Sequence, residues 1–148
     1  MTIIRLNGPL DIIDYWDLLR EGFVWLKRNT KFVFNEEKTL QQLLYISGHH
    51  GRYYMALAVD GDVLQSFVVA FDATPIFDEE RVLQVYALMH CPHLVGTTRK
   101  LLNGLEVWAI DQGIDRYSMV SRKFSSPSLR LFSKLGFKKD GMILTKEF

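Results

Sequence analysis

The chain has 148 residues, the usual length of one domain, and at that length a folded chain buries roughly two-thirds of its surface. Hydrophobic residues make up 48% of the sequence and charged residues 24%, close to the average of soluble proteins, which excludes the disordered and fibrous classes. The formal net charge is +1, so the chain lacks the basic excess with which proteins neutralise nucleic-acid phosphates. We expect a single domain over residues 1–148 with no nucleic-acid partner.

The cysteine content and the apolar segments bear on compartment. Cys91 is the only cysteine, which excludes an internal disulfide framework, and no group of His and Cys has zinc-ligand spacing, so no metal site is predicted. The first residues have neither the basic segment nor the apolar run of a signal peptide. No run reaches the ~18 apolar residues that a membrane span needs. These features predict a cytoplasmic protein with no membrane partner.

Hydrophobic periodicity predicts the elements of the first half of the chain. "TIIRL" is typical of a short opening strand. A helix from about Leu10 to Lys27 follows, because apolar residues recur at alternating steps of four and three: Ile12, Trp16, Leu19, Phe23 and Leu26. "EEKTLQQLLYISG" predicts a second helix that ends at a glycine, with one face formed by Leu40, Leu43, Leu44 and Ser47.

The middle of the chain predicts an antiparallel meander. "RYYMALAVDGDVLQSFVVAFD" has two β-rich runs around Asp60 and Gly61, a dipeptide that tolerates the positive φ angles of a tight turn. A third strand, "RVLQVYALM", follows a short loop. These three runs are expected to pair in sequence order.

The second half begins with "HCPHLVGTTRKLL", residues 90–102, which joins that strand to an amphipathic helix. "DRYSMVSR" predicts the next strand, and "SSPSLRLFSKLG" predicts a helix with Leu129, Phe132 and Leu135 on one face. "FKKDGMILTKEF" predicts a final β segment. The resulting order is β-α-α-β-β-β-α-β-α-β.

This order and two local motifs resemble the GNAT acetyltransferase superfamily over nearly the whole chain. In the family a strand runs into a loop of the form Arg/Gln-x-x-Gly-x-Gly/Ala that begins a helix, and Gly96 takes the first glycine position. "SLRLFSKLGF" is similar to the family pattern A-x-R-x-Y-x-K-x-GF near the C-terminus. The resemblance implies an α/β (α+β) fold with a central, mostly antiparallel mixed sheet of roughly six or seven strands, flanked by four helices.

The resemblance also implies acetyl-CoA as co-substrate. Helix N-termini carry unpaired N–H groups and partial positive charge, so this helix start would hold the pyrophosphate. Alternatively, Thr97 or Thr98 only caps the helix, and Arg99 is only solvated; for Arg99 we favour that alternative. The implied binding residues are Leu88, Met89, Leu94, Val95, Gly96, Thr97, Thr98, Arg99, Ser125 and Phe132.

Direct attack of an amine on the thioester needs loss of a proton, stabilisation of the oxyanion and protonation of the thiolate. The sequence departs from the family at these places, because a frequent glutamate falls on Gln84 and a frequent tyrosine falls on Phe132. His90 is the best base by residue type, since its ordinary pKa is near neutrality. Gln84, Tyr86 and His90 are the catalytic candidates, and each residue type is more often structural.

The acceptor site of the family lies in the connection between the first two helices, here "KRNTKFVFNEEK". Phe32 and Phe34 with Glu36 and Glu37 would form an apolar slot with an acidic rim, or they simply pack as a hydrophobic staple before the second helix, which we favour. The acceptor is expected to be an amine of a protein or a small molecule. The cleft is expected to be either open, as for a protein substrate, or completed by a second subunit in a homodimer.

Two alternatives to an N-acetyltransferase remain at this point. Because Gln84 and Phe132 lack the family's functional groups, the chain would be a GNAT-fold binding or structural module without catalysis. In the second alternative the chain is a different α+β domain, and the glycine turn only connects a strand to a helix.

Overall fold

Five strands form one sheet in the part of the chain that the computed structural model describes, namely residues 1–30, 32–49, 52–74, 79–119, 126–139, 144 and 146–147. A one-turn 3-10 helix, Pro92–Leu94, precedes α4. The elements in chain order are β1 (Thr2–Arg5), α1 (Pro9–Asp14), α2 (Trp16–Asn29), α3 (Glu36–His49), β2 (Tyr53–Asp60), β3 (Val63–Asp72), β4 (Val82–Leu88), α4 (Val95–Asp111), β5 (Arg116–Met119) and α5 (Ser126–Lys134).

The strands lie in the order β1-β2-β3-β4-β5. The first four pair antiparallel, and β5 pairs parallel to β4, with α4 as the crossover between them. Gly61 has φ of +60° in the turn between β2 and β3, as the Asp-Gly dipeptide predicts. The mostly antiparallel mixed sheet and the meander are therefore confirmed.

The strand count differs from the expected six or seven, because the described residues contain five strands. Phe137–Lys139, the start of the predicted final β segment, has no strand structure, and most of the remaining segment lies outside the described residues. The difference in count therefore falls at the C-terminus. The α/β class agrees with the prediction, and so does the element order up to α5, except that the first helix is divided in two.

The predicted first helix is two helices, so the described part has five α-helices where four were expected. The break is at Tyr15, whose φ and ψ of −105° and 14° leave the helical region. Its physical reason is that the two halves pack on different partners, since α1 contacts α3 whereas α2 contacts β3. The predicted apolar face survives the break, because Ile12, Leu19, Phe23 and Leu26 are all buried.

Two other predicted helix faces are shifted. In α3 the buried residues are Thr39, Leu43 and Ile46, while Leu40 and Leu44 lie at the margin of the core. In α5 Leu131 and Phe132 are buried, whereas Leu129 is 39% exposed. Both helices carry apolar residues on more than one side, so periodicity alone did not determine which side faces the sheet.

The sheet is buried on both faces, which explains the near-continuous apolar runs of β2 and β3. One face packs against α1, α2 and α3 through side chains such as Phe23, Met55 and Phe67. The other face packs against α4 through Leu101, Leu105 and their sheet neighbours. No helix in the described ranges is long and apolar enough to cross a membrane.

Polar contacts hold α4 across the sheet. The Arg5 guanidinium on β1 lies 3.9 Å from the ring centroid of Tyr54 and 5.2 Å from that of Trp108 on α4. At the other side the Tyr117 hydroxyl on β5 donates to Glu106 on α4 at 2.6 Å, and burial together with this bond raises the pKa of Tyr117. These contacts fix the C-terminal half of α4 to both edges of the described sheet.

We predict that Gly22→Ala destabilises the fold. A Cβ at Gly22 would lie 2.5 Å from two ring atoms of the fully buried Phe67, so α2 would have to move away from β3. Overpacking of this kind costs about 1–3 kcal/mol in the free energy of unfolding, which urea denaturation measures.

Gly48→Ala in α3 is the matched control. Its Cβ would lie 3.6 Å from the Pro9 side chain, an ordinary contact, and alanine favours a helix over glycine by about 1 kcal/mol. This variant is expected to be as stable as the wild type or more so. Equal stability of Gly22→Ala and the wild type would contradict the prediction.

Candidate functional site

The end of β4 is fixed to β3 by two hydrogen bonds at Met89. Its N–H donates to the Phe67 carbonyl at 3.0 Å, and its carbonyl accepts a bond from the Ser66 hydroxyl. Ser66 is fully buried and was missed by the sequence analysis. The available signal was a single hydroxyl within the apolar run "VLQSFVVAF", where burial requires a hydrogen-bond partner.

A tight turn connects this strand end to α4. The Leu94 N–H donates to the Cys91 carbonyl at 2.8 Å, and α4 begins at Val95 directly after the 3-10 turn. Cys91 is buried, and burial raises the pKa of its thiol, as expected for a small apolar filler. The first turn of α4 therefore lies next to the end of β4.

Gly96 lies in that first turn and is exposed. A Cβ built there would meet no atom of the described residues within 4 Å. Glycine in a helix costs about 1 kcal/mol relative to alanine, and the described packing gives no reason to accept that cost. Close approach of a ligand to the main chain would provide one, because helix-terminal N–H groups bind phosphate best without a side chain in the way.

The two threonines after Gly96 face the protein. The Thr98 hydroxyl is 2.9 Å from Nδ1 of His90, and the Thr97 hydroxyl donates to the sulfur of Met1 at 3.4 Å. Among the described residues no side chain caps α4, so the alternative that either threonine is a helix cap is wrong. Gly96 and Arg99 are exposed at this helix start, where the first backbone N–H groups of a helix lack intrahelical partners.

His90 lies between α4 and α5. Besides its contact with Thr98, its ring centroid is 5.8 Å from that of Phe132. Burial lowers the pKa of His90, because the charged form would lose solvation, and the imidazole is therefore neutral at pH 7. The structure thus brings together three of the predicted site residues: His90 just after β4, Thr98 in α4 and Phe132 in α5.

Tyr86 lies on the other side of β4. The register of β3 and β4 passes from Val69↔Ala87 to Ala70↔Val85, so Tyr86 is the extra residue of a β-bulge. The residue is 42% exposed, and its ring centroid is 5.8 Å from that of Phe32 and 5.9 Å from that of Phe71. Tyr86 and His90 therefore have different neighbours, and the structure does not join them in one cluster.

The remaining predicted positions lie on β4 or directly after it, except Ser125. Gln84 is partly buried and pairs in register with Ser118 of β5. Leu88 packs at the margin of the core beneath α4, and Met89 is 7% exposed. The described pairing of β4 and β5 ends at Val85↔Met119, and residues 120–125, which include Ser125, lie outside the described part of the chain.

The aromatic residues in the connection between α2 and α3 pack against α2. Phe32 and Phe34 both contact the Phe23 ring, at centroid distances of 5.7 Å and 5.5 Å. The Asn35 side chain accepts from the Lys38 N–H at 3.0 Å and so caps α3, a role the sequence analysis missed. Both phenylalanines therefore have structural roles, and Phe32 in addition borders Tyr86.

No family model and no curated protein matches the sequence. Solved structures do match. An aminoglycoside acetyltransferase from an uncultured soil metagenomic sample, in complex with sisomicin, has a TM-score of 0.72 at 15% identity, covering 99% of this chain and 94% of that one. An aminoglycoside 6'-N-acetyltransferase from Acinetobacter haemolyticus has a TM-score of 0.71 at 14% identity, covering 100% and 98%.

A protein described as a probable acetyltransferase has a TM-score of 0.72 at 13% identity and covers 100% of this chain and 97% of that chain. The chain therefore has the GNAT acetyltransferase fold. The predicted resemblance is confirmed at the level of the fold, and the alternative of a different α+β domain is excluded.

We predict that His90 contributes to the pH dependence of stability. Since the folded chain binds this proton less readily than the unfolded chain, the contribution is present above about pH 6.5 and is lost as the pH falls through the lowered pKa. NMR titration of the imidazole should give a pKa below the ordinary 6.5, and the free energy of unfolding should decrease over the same range. A pKa at or above 6.5 would contradict this.

Proposed function

We propose that residues 1–148 form one cytoplasmic acyl-CoA-dependent N-acyltransferase domain that transfers acetyl from acetyl-CoA to an amine. The observation that carries the proposal is the exposed glycine in the first turn of α4, which directly follows the end of β4 in an acetyltransferase fold. That turn offers backbone amides at the positive end of a helix of 17 residues. This is the chemistry that a pyrophosphate needs.

The binding residues divide by the part of the co-substrate that they would contact. The amides of Val95, Gly96 and Thr97 would hold the pyrophosphate, and the exposed Arg99 could pair with a phosphate. The backbone of Leu88 and Met89 would hold the pantetheine arm alongside β4. Leu94, Thr98 and Phe132 would support this arrangement by packing, and Ser125 is retained as a proposed contact outside the described residues.

For the reaction we propose direct attack. The thioester supplies an acyl carbon that is already activated. The amine nitrogen forms the new bond to that carbon, the carbon–sulfur bond breaks, the amine loses a proton and the thiolate gains one. Of the three candidate side chains, Gln84 has no proton to exchange near neutral pH. Nδ1 of His90 is engaged by Thr98, which leaves Nε2 of this part-buried ring to take a proton, and we favour the more exposed Tyr86 and solvent as routes.

For the acceptor we propose a site beside the aromatic surface formed by Phe32, Phe71 and Tyr86. These rings lie on the face of the sheet that packs against the α2–α3 connection, and Tyr86 presents 42% of its surface. One structurally similar protein was solved with sisomicin, which supports a small-molecule amine as acceptor. A protein amine is the alternative acceptor, and a homodimer is the alternative in which a second copy of the chain completes the cleft.

A GNAT-fold module without catalysis is the second candidate function. The observation that favours it is Phe132, which has no hydroxyl and is 7% exposed where it packs against His90. Binding of acetyl-CoA without turnover on a panel of amines would support this candidate over the enzyme.

We predict that Gly96→Glu weakens acetyl-CoA binding at least tenfold, measured by calorimetry. The new side chain finds open space, and a carboxylate favours a helix N-terminus, so the fold is expected to be retained, whereas the charge repels the pyrophosphate. Asn103→Glu adds the same charge at an exposed position later in α4 and serves as control. Failure of the wild type to bind at millimolar acetyl-CoA would overturn the proposal.

We predict that Tyr86→Ala raises the acceptor KM about tenfold and leaves the affinity for acetyl-CoA unchanged, because the ring borders Phe32 and not the start of α4. Tyr86→Phe keeps the ring, so its acceptor KM is expected near that of the wild type, and a fall in kcat would assign a role to the hydroxyl. Steady-state kinetics on the best amine of an aminoglycoside and polyamine panel measures both. An unchanged KM for Tyr86→Ala would exclude this surface.

A further inference from the structure

His90 occupies the point where β4, α4 and α5 meet. It follows Met89, whose N–H and carbonyl are both bonded to β3. Its ring contacts Thr98 in α4 through Nδ1 and Phe132 in α5 through ring packing. One side chain therefore connects a strand end whose position is fixed to the two helices that follow it in the chain.

The contact with Thr98 is not replaceable by water. Thr98 has no exposed surface, so its hydroxyl depends on protein partners. A neutral imidazole offers one donor and one acceptor nitrogen, and a hydroxyl can serve as either partner, so the bond forms with either tautomer. Loss of the imidazole would leave the Thr98 hydroxyl buried and unsatisfied.

Thr98 is the fourth residue of α4, and the amides of the preceding residues face the proposed pyrophosphate. A continuous series of contacts runs from β3 through Met89 and His90 to Thr98. Any shift of His90 would therefore displace the first turn of α4 relative to β4, which is the strand that would hold the pantetheine arm.

We propose that His90 is a positioning residue: through Thr98 and Phe132 it sets the first turn of α4 and helix α5 against the end of β4, so that the amides of Gly96 and Thr97 converge on the pyrophosphate of coenzyme A. This inference rests on the proposed function, because it concerns the same co-substrate. It assigns the histidine a role that involves no proton transfer, in contrast to the base predicted from its residue type.

The first experiment measures the Kd of coenzyme A by calorimetry for the wild type, Thr98→Val and Thr98→Ser. Valine keeps the shape of threonine and removes the hydroxyl, and we expect binding about tenfold weaker. Serine restores the hydroxyl and should restore affinity to within about twofold. Thr39→Val is the matched control, since Thr39 is likewise buried, 7% exposed, and is the fourth residue of α3; its Kd should equal that of the wild type.

The second experiment tests the same contact from the side of His90, so that the positioning role can be tested even if Thr98→Val does not fold. The side-chain oxygen of asparagine can take the place of Nδ1, so His90→Asn is expected to bind coenzyme A better than His90→Leu by about fivefold or more. With acetyl-CoA and a productive amine, His90→Asn should also retain the shape of the pH profile of kcat/KM, whereas loss of a catalytic base would remove its acidic limb.

The outcomes separate the two proposals. If the wild type binds coenzyme A but folded Thr98→Val and His90→Leu bind equally well, the positioning role is overturned and the proposed function stands. If the acidic limb disappears in His90→Asn, the histidine is a base and the positioning role is likewise overturned. If the wild type does not bind coenzyme A at millimolar concentration, the proposed function fails and this inference fails with it.

Discussion

The anchoring of Met89 to β3 is the constraint on which the site depends. The strand end that follows a bulge is free to shift unless its backbone groups are paired. Here the N–H and the carbonyl of Met89 are both bonded, and the carbonyl accepts from the buried hydroxyl of Ser66. The turn to α4 starts from this fixed point. The start of the helix is then placed by covalent geometry and by His90, and its body is placed by Arg5 at one edge of the sheet and Tyr117 at the other.

The bulge at Tyr86 has a separate consequence, because it determines which face each β4 side chain occupies. Val85 belongs to the core beneath α4, whereas Ala87 belongs to the core beneath α2 and α3, and Tyr86 contacts rings on that second side. In a regular strand Tyr86 and Ala87 would face opposite ways. The bulge thus places an exposed aromatic residue on the face that packs against α2 and α3, where we propose the acceptor site, and leaves the strand end beyond it next to α4.

The proposed binding of the co-substrate depends less on particular side chains than the proposed proton transfer does. Main-chain amides bind phosphate whatever side chains surround them, so the recognition of pyrophosphate needs only a helix start and open space at Gly96. Proton transfer, in contrast, depends on one side chain within hydrogen-bond reach of one atom. Nδ1 of His90 is engaged by Thr98, Gln84 does not titrate near neutral pH, and Phe132 has no hydroxyl. These properties reduce the number of side chains that are candidates for the proton transfer.

The sequence by itself determined the features that depend on local chemistry. These are the buried face of α2 around Phe23, the Asp60-Gly61 turn, the meander of β2, β3 and β4, and the glycine in the first turn of α4, because period, turn residues and helix-start residues act over a few neighbours. Only the tertiary structure decided the break at Tyr15, the burial of Leu131 in place of Leu129, and the contacts of Ser66 and Thr98. Those features depend on which distant element each side chain meets. The sequence allowed the Thr98 hydroxyl to cap its own helix, but the fold brings His90 beside it, and the hydroxyl bonds to that histidine instead.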